Sequence, residues 1–579
     1  MNKFFLLFFT CMLFLAGKAQ KKTEQVHLND QWKFRAGDDP AWAQPQADES
    51  AWTTVSTRQI LEDQKGFEAF EGFGWYRTKL TLPASLKAAV QRGGGLVLNY
   101  GKVDDCDELY VNGHFVGRSG SFPPSYQSAY GKDREYNVPL RFLFLDKPNT
   151  IAVRLYDGGG GGGIVSAGSF ARNITTFDKV AMQVTVADDD YIFHSPKPIT
   201  LTVALDNQNS TAFPATLQVE VTTDSYKPVQ SFKQTFSLAT GSRTSKTFTL
   251  KAKPGFYRYT VYLQSGGEKG KPVKLNIGYE PEKIRGFPDK PADFASFWQS
   301  SLKAMAGVNP DFRMVAKPGQ STADYDIFEV SMNSFGGERV TGVYARPKRE
   351  GRFPVSIEYQ GYSEGPRLPS LQWDGFAHMV MCIRGQGYNK EGHQYGDWIV
   401  YGLQSKEDYY YRGAYLDAVR GIDFVCSRPE IDTTRIVAQG GSQGGALTFA
   451  AAALDGRIKA CAPGIPFLSD YRNYFKIVPW PRSSFETYRK EHPDVSWDHI
   501  YKVLAYFDIK NLASRITCPL FMGIGVQDNV CPPHINFAAY NEVKGPKKWI
   551  AYPLEGHSTG ADFPERRLAF FKEKLGIRE

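Results

Sequence analysis

Apolar and polar residues alternate with a period of two through the first half of the chain, and the pattern changes near residue 281. From about residue 22 to 185, short apolar runs are broken by turn residues, as in Gly95-Leu96-Val97-Leu98-Asn99-Tyr100 and Thr150-Ile151-Ala152-Val153-Arg154-Leu155-Tyr156. This predicts an all-β domain. Within it, Asp107-Glu108-Leu109-Tyr110-Val111-Asn112-Gly113-His114 reads as a hairpin closed by an Asn-Gly turn. From about 186 to 280 the alternation is cleaner, for example in Ile199-Thr200-Leu201-Thr202-Val203-Ala204-Leu205 and Tyr257-Arg258-Tyr259-Thr260-Val261-Tyr262-Leu263. An antiparallel sandwich, Ig-like in size, is expected there. It holds no cluster of acid, base and nucleophile, so it reads as a spacer. Beyond 281, strands alternate with helices. An amphipathic helix over 294–302 comes first, then strands near 355–359 and 379–383 and a long helix over about 411–426. A strand ending at Gln439 runs into an alanine-rich helix, and strands follow at 519–526 and 548–552. Such alternation predicts a parallel sheet covered on both faces.

Length agrees with this division, since 579 residues exceed what one core organises. The expected boundaries are a leader over 1–19, β domains over 20–185 and 186–280, and an α/β domain over 281–579. The leader expectation rests on Lys3, an apolar stretch over 4–16 too short to span a bilayer, and the small-x-small site Gly17-Lys18-Ala19. The chain is therefore expected to be exported, to the periplasm or beyond the cell, and no later segment reads as a membrane span. A net charge of +8 is spread thinly, with no basic block, which argues against a nucleic-acid partner. Outside the leader six cysteines remain, several inside apolar runs such as Met381-Cys382-Ile383, and buried free thiols are expected. No Cys/His spacing suits a metal, and no cofactor is implied.

The chemistry gathers around Ser442, in Gly440-Gly441-Ser442-Gln443-Gly444 between the 435–439 strand and the alanine-rich helix. A serine on a sharp strand-to-helix turn needs glycine neighbours, because side chains there would strike adjacent backbone. The turn lifts the hydroxyl clear of the sheet, and the helix N-terminus favours developing negative charge. A second match, Gly361-Tyr362-Ser363-Glu364-Gly365, also follows an apolar run, but Pro366 and Pro369 prevent a clean helix start. Serine becomes nucleophilic only when a base takes its proton and a third group orients that base. On a strand-to-helix turn of this kind, the acid and then the histidine follow the serine in the chain. Asp528 directly follows the 521–527 run, whereas Asp470 and Asp508 follow no strand. His557 lies in the turn after the last strand; His534 follows Pro532-Pro533 and reads as a helix start. The oxyanion needs two backbone donors, assigned to the amides of Gln443 and Tyr362.

Two resemblances follow. The first stretch resembles the galactose-binding-like jelly rolls attached to many glycoside hydrolases and carbohydrate esterases. It does so through Trp75-Tyr76-Arg77, Val103-Asp104-Asp105, Val111-Asn112-Gly113 and Asn149-Thr150-Ile151-Ala152-Val153. Such a fold would bind sugar or brace its neighbour. In the last stretch, Tyr359-Gln360-Gly361-Tyr362, Arg384-Gly385-Gln386-Gly387, Gly440-Gly441-Ser442-Gln443-Gly444, Asp528-Asn529-Val530-Cys531-Pro532-Pro533 and Phe537-Ala538-Ala539-Tyr540-Asn541 precede His557 in that order. Together they resemble the acetyl xylan esterase/cephalosporin C deacetylase family, carbohydrate esterase family 7. That resemblance, over nearly all of residues 281–579, implies an α/β-hydrolase acting on an acetylated carbohydrate; with the jelly roll and the Ig-like sandwich before it, the chain is expected to be multidomain. Ser442, Asp528 and His557 would form the triad, with Arg384 and Gln386 bracing the site. The family usually carries Glu after the catalytic His, where this chain has Ser558, which bears on loop anchoring and subunit contacts. Its hexameric rings make a homo-oligomer one expectation for this chain. Two rival readings share parts of the pattern: a serine peptidase with the same triad order, and a glycan-binding protein carrying a relic hydrolase domain.

Overall fold

The computed structural model describes residues 24–577 except 69, 130, 160, 366, 372, 374 and 390–394; the expected leader lies outside the described residues. Contacts divide the chain into two compact units. One runs to Ala181 and adds Asp206–Phe213 and Leu238–Ser242, and the other holds Met182–Leu205, Pro214–Ser237 and everything from Arg243 onward.

The first unit is a sandwich of two antiparallel sheets. Strands Gln25–His27, Phe170–Asn173, Gly95–Asp104, Gly163–Val165 and Asp133–Pro139 make one. Thr53–Ser56, Gln31–Ala36, Gly72–Leu80, Asn149–Asp157, Cys106–Val111 and His114–Ser119 make the other. Trp32, Tyr76, Leu98, Val153 and Leu155 point inward between them. The expected hairpin is present: Val111 pairs with His114 across a two-residue turn in which Asn112 and Gly113 have φ of 50° and 84°. Positive φ at both positions is what such a turn demands, and Asn and Gly tolerate it best. One element departs from the all-β reading. Residues Ala84–Gly93 form a helix that buries Leu86, Ala89 and Val90.

The sandwich that follows takes its first strand from Val180–Val186, ahead of the boundary expected at 186; this strand joins Ile199–Asn207 and Arg243–Leu250 in one sheet. The opposing sheet is built mainly on Gly255–Ser265, flanked by Phe213–Thr223 and Val273–Tyr279. Burial alternates residue by residue along Ile199–Asn207, as the period-two pattern requires. Ile192 and Phe256 of this sandwich lie in the same apolar core as the α/β sheet described next.

That sheet has nine strands: β1 Arg313–Ala316, β2 Tyr325–Asn333, β3 Arg339–Pro347, β4 Phe353–Tyr359, β5 Ala377–Cys382, β6 Ile431–Gly441, β7 Ile458–Gly464, β8 Leu520–Gly525 and β9 Lys547–Tyr552. Their order is β1-β2-β3-β5-β4-β6-β7-β8-β9. The first pairings are antiparallel, and those from β5 to β9 are parallel. Strands buried on both faces read as continuous apolar runs, which is why β4, β5, β6 and β8 stood out in the sequence; β9, at the sheet edge, holds no fully buried residue and showed through its run Trp549-Ile550-Ala551-Tyr552. Helices α1 Phe294–Ala306, α2 Tyr410–Cys426, α3 Gln443–Leu454, α4 Pro533–Tyr540 and α5 Phe563–Lys574 are among those that cover it. The six cysteines outside the leader are all free.

Candidate active site

Ser442 stands at the junction of β6 and α3 with φ 55° and ψ −118°, a conformation that side chains rarely adopt. The neighbouring glycines are sterically required. A Cβ on Gly444 would sit 2.0 Å from the Tyr359 carbonyl oxygen at the end of β4, and one on Gly440 would sit 2.6 Å from the same atom. The Ser442 amide donates to Gly464 on β7 at 3.0 Å, and its carbonyl accepts from Ala446 and Phe467. The turn is thus pinned from both sides of the sheet. The hydroxyl is left half-buried at the rim, with the amide end of α3 beneath it.

Three residues from distant parts of the chain converge there. His557 Nε2 lies 3.0 Å from Ser442 Oγ, and His557 Nδ1 lies 2.8 Å from Asp528 Oδ2. The Asp528 side chain is fully buried, and that of His557 is 30 % exposed. Asp528 Oδ1 accepts from the amides of Val530 and Cys531 at 2.7 and 2.8 Å, which leaves only Oδ2 for the imidazole. The loop after β9 is pressed against the end of β8, where a Cβ on Gly525 would lie 2.1 Å from the Gly556 carbonyl oxygen. Gln527 ties the two loops together, donating from its backbone amide to Glu555 and from Nε2 to the Pro553 carbonyl. Ser558 takes no part in this, since its hydroxyl donates to the adjacent Thr559 carbonyl. Sequence reasoning passed over Gln527, because a lone glutamine at a strand end carries no local signal.

The second serine motif forms a turn with no helix after it among the described residues, and Ser363 has φ 60°. Its Gly361–Tyr362 peptide is nevertheless held firmly. The Gly361 amide donates to Glu364 Oε2 at 2.6 Å, and the Gly361 carbonyl accepts from Gln386 Nε2. Gln386 Oε1 accepts in turn from Gln443 Nε2 at 3.1 Å, and Gln443 Oε1 accepts from the Tyr411 hydroxyl at 2.9 Å. The carbonyl and the N–H of one peptide are coplanar and opposed. This buried relay therefore also sets the direction of the Tyr362 N–H. Tyr411, on α2, escaped the sequence reading because its partner lies across two helices. Arg384 does not touch Ser442 or His557. It forms a buried bidentate pair with Asp417 at 2.8 Å and donates to the Phe335 carbonyl. Removing one member of such a pair costs about 3–5 kcal/mol, because the other is left charged and unpartnered. The Arg384 carbonyl accepts from the Tyr410 hydroxyl at 2.6 Å. Aromatic rings of Trp398, Trp480 and Phe467 surround the side chain of Tyr362, whose hydroxyl donates to Asp397 at 3.0 Å.

Residues 279–575 match the acetyl xylan esterase (AXE1) family, and residues 37–160 match the second all-β domain of β-galactosidases. Acetyl esterase Axe7A of Xylanibacter ruminicola is 28% identical over 339 residues, which cover 56% of this chain and 75% of that protein. An acetyl xylan esterase from Paenibacillus sp. R4 is 32% identical, with 51% of this chain and 98% of that one covered and a TM-score of 0.49. Acetyl xylan esterase 1 of a Thermoanaerobacterium species is 28% identical, with 52% and 98% covered and a TM-score of 0.47.

Proposed function

Because the chain belongs, through residues 279–575, to the acetyl xylan esterase family and is a carboxylic-ester hydrolase, we propose that it removes O-acetyl groups from plant-type polysaccharides or oligosaccharides such as acetylated xylan. The observation that carries this reading is the line Ser442 Oγ, His557, Asp528, with contacts of 3.0 and 2.8 Å. Ser442 Oγ attacks the acetyl carbonyl carbon while His557 Nε2 takes the hydroxyl proton. The imidazolium so formed is stabilised by Asp528, which keeps its own charge. The amides of Gln443 and Tyr362 hold the oxyanion. Collapse expels the sugar oxygen, which takes the proton from His557, and leaves acetyl-Ser442. Water, deprotonated by His557, attacks the acetyl carbonyl; collapse breaks the bond from the acyl carbon to Ser442 Oγ, which takes the proton back from His557, and acetate leaves. Export across the inner membrane fits this substrate class. Among the described residues, no helix is long and apolar enough to cross a membrane.

Profiling acetate release tests the substrate. Acetylated xylo-oligosaccharides are expected to release acetate at least about tenfold faster, in kcat/KM, than short peptide or feruloyl substrates release their products. Faster cleavage of peptides would replace this reading by the peptidase one, and retention on polysaccharide columns without turnover by the glycan-binding one.

The relay behind Tyr362 gives a second expectation. Gln386→Leu removes the donor to the Gly361 carbonyl and lets the peptide turn its N–H away from the oxyanion. A fall in kcat of about 10- to 100-fold is expected, with KM for a chromogenic acetate ester nearly unchanged, because the oxyanion forms only after binding. Steady-state kinetics separate the two constants, and a rise in KM at constant kcat would contradict this role for Gln386.

A further inference from the structure

The sandwich between residues 180 and 280 holds no cluster of nucleophile, acid and base, yet it meets the hydrolase at the two loops that hold Asp528 and His557. Asn276 lies on its strand Val273–Tyr279, 251 residues before Gln527. The Asn276 backbone amide donates to Gln527 Oε1 at 2.7 Å, and Gln527 Nε2 donates back to the Asn276 carbonyl at 3.1 Å. Asn276 Nδ2 donates to the Val526 carbonyl at 3.0 Å. The same Gln527 Nε2 also donates to Pro553, at the root of the His557 loop. One side-chain amide thus joins the sandwich, the residue before Asp528 and the loop of His557.

A second junction lies on the other side of the Asp528 loop. His534, in the first turn of α4, has Nδ1 2.7 Å from Asp224 Oδ2 in the loop between two sandwich strands, and Nε2 3.7 Å from Asp470. These are ion pairs without hydrogen-bond alignment. Burial alone would favour the neutral ring, but the carboxylates of Asp224 and Asp470 outweigh it and push its pKa up to about 10. His534 is therefore a cation at neutral pH. Phe256 packs against Phe537 of α4 with ring centroids 6.0 Å apart, which adds an apolar contact to the ionic one.

We propose that this sandwich is part of the catalytic apparatus: Asn276 and Gln527 are positioning residues that fix the spacing of the Asp528 and His557 loops, and Asp224 secures the helix after the Asp528 loop through His534. The proposal rests on the triad reading given above. It explains why a chain with Ser558 after its histidine still holds that loop, since Gln527 supplies the anchor that Ser558 does not. A triad tolerates little slack, because a displacement of about 1 Å between reacting groups costs roughly a hundredfold in rate.

The test compares full-length Gln527→Leu and the milder Asn276→Ala with a control, Lys290→Ala. The control also removes a bond to a distant segment, from Lys290 Nζ to the Ser514 hydroxyl 224 residues later, but touches neither loop nor α4. Melting temperature, kcat, KM and the pH dependence of kcat/KM are measured for each on a chromogenic acetate ester, well below the melting temperature. For Gln527→Leu, kcat is expected to fall about 10- to 100-fold with KM changed by less than about twofold. The acidic limb of its profile should move to lower pH, because a loosened Asp528 stabilises the imidazolium less. Asn276→Ala should show the same signs with a smaller fall, and the control should keep the wild-type kcat and profile. Wild-type kcat and profile in a folded Gln527→Leu, or an equal loss in the control, would overturn the proposal. If Gln527→Leu fails to fold, the same signs or their absence in Asn276→Ala decide. An inactive Ser442→Ala alongside an unaffected Gln527→Leu removes this proposal alone; an active Ser442→Ala removes the triad reading beneath it.

Discussion

Ser442→Ala is expected to lower kcat on a chromogenic acetate ester by about 10⁵- to 10⁶-fold while leaving the melting temperature within a degree or two of wild type. The size of the loss follows from what the hydroxyl does. Without Oγ no acyl-enzyme forms, and His557 can only direct water at the ester in a cleft that keeps its oxyanion donors, a residual worth about 10³-fold over water. The small effect on stability follows from what the hydroxyl does not do. Its close polar contacts are His557 at 3.0 Å and Cys531 Sγ at 3.9 Å, and the residue is half-buried at the rim. The unusual backbone, with φ 55°, is equally strained for serine and alanine because both carry a Cβ. The hydrogen bonds that pin the turn belong to the main chain, through Gly464, Ala446 and Phe467, and survive the change. Rates and thermal unfolding on one preparation check both halves. Activity within a hundredfold of wild type in a folded variant would mean that another group is the nucleophile.

How much of this was legible in the sequence depends on the range of the interaction. Ser442 could be placed on its turn because strand, glycines and helix are contiguous in the chain. The steric demand of Gly440 and Gly444 is written in the same five residues, although the atom that imposes it, the Tyr359 carbonyl, is not. Asp528 and His557 could be placed because both directly follow apolar strands, and strand ends on one edge of a parallel sheet meet in space. The antiparallel strands β1 to β3 were passed over. β1 leaves both Arg313 and Val315 exposed, and its apolar run, Met314-Val315-Ala316, is too short to signal a strand. The contacts of Gln386 with Gly361, Tyr411 with Gln443, and Asn276 with Gln527 left no trace in periodicity. Each joins a single polar residue to a partner brought near only by the folded sheet. His534 was visible as a lone histidine at a helix start, but Asp224, which with Asp470 favours its charged form, lies far earlier in the chain. Reading residues 186–280 as a spacer was the natural result, since a brace made of one amide and one ion pair has no local signature.

The same long-range geometry makes Asp528→Asn the sharpest single-atom test of the site, with an expected fall in kcat of about 10³- to 10⁴-fold and little loss of stability. Asparagine matches aspartate in shape, and one orientation is strongly favoured. Oδ1 of residue 528 receives the amides of Val530 and Cys531, so the amide oxygen must stay there; the reverse orientation would set an NH₂ against two N–H donors. The NH₂ then occupies the place of Oδ2 and donates to His557 Nδ1, 2.8 Å away. A nitrogen that accepts cannot carry the proton, so the proton moves to Nε2 and points at the Ser442 hydroxyl. In that tautomer His557 cannot take the serine proton, although every heavy atom remains in place. Asp528→Ala separates this effect from simple loss of a partner. It imposes no tautomer but leaves the two amides without an acceptor, at about 1–3 kcal/mol, so it should unfold at a lower temperature than the asparagine variant. Kinetics and thermal unfolding of the two variants side by side distinguish the cases. If Asp528→Asn retained activity within tenfold of wild type, the carboxylate would not be what orients the imidazole, and the 2.8 Å contact would be a structural pairing without a catalytic part.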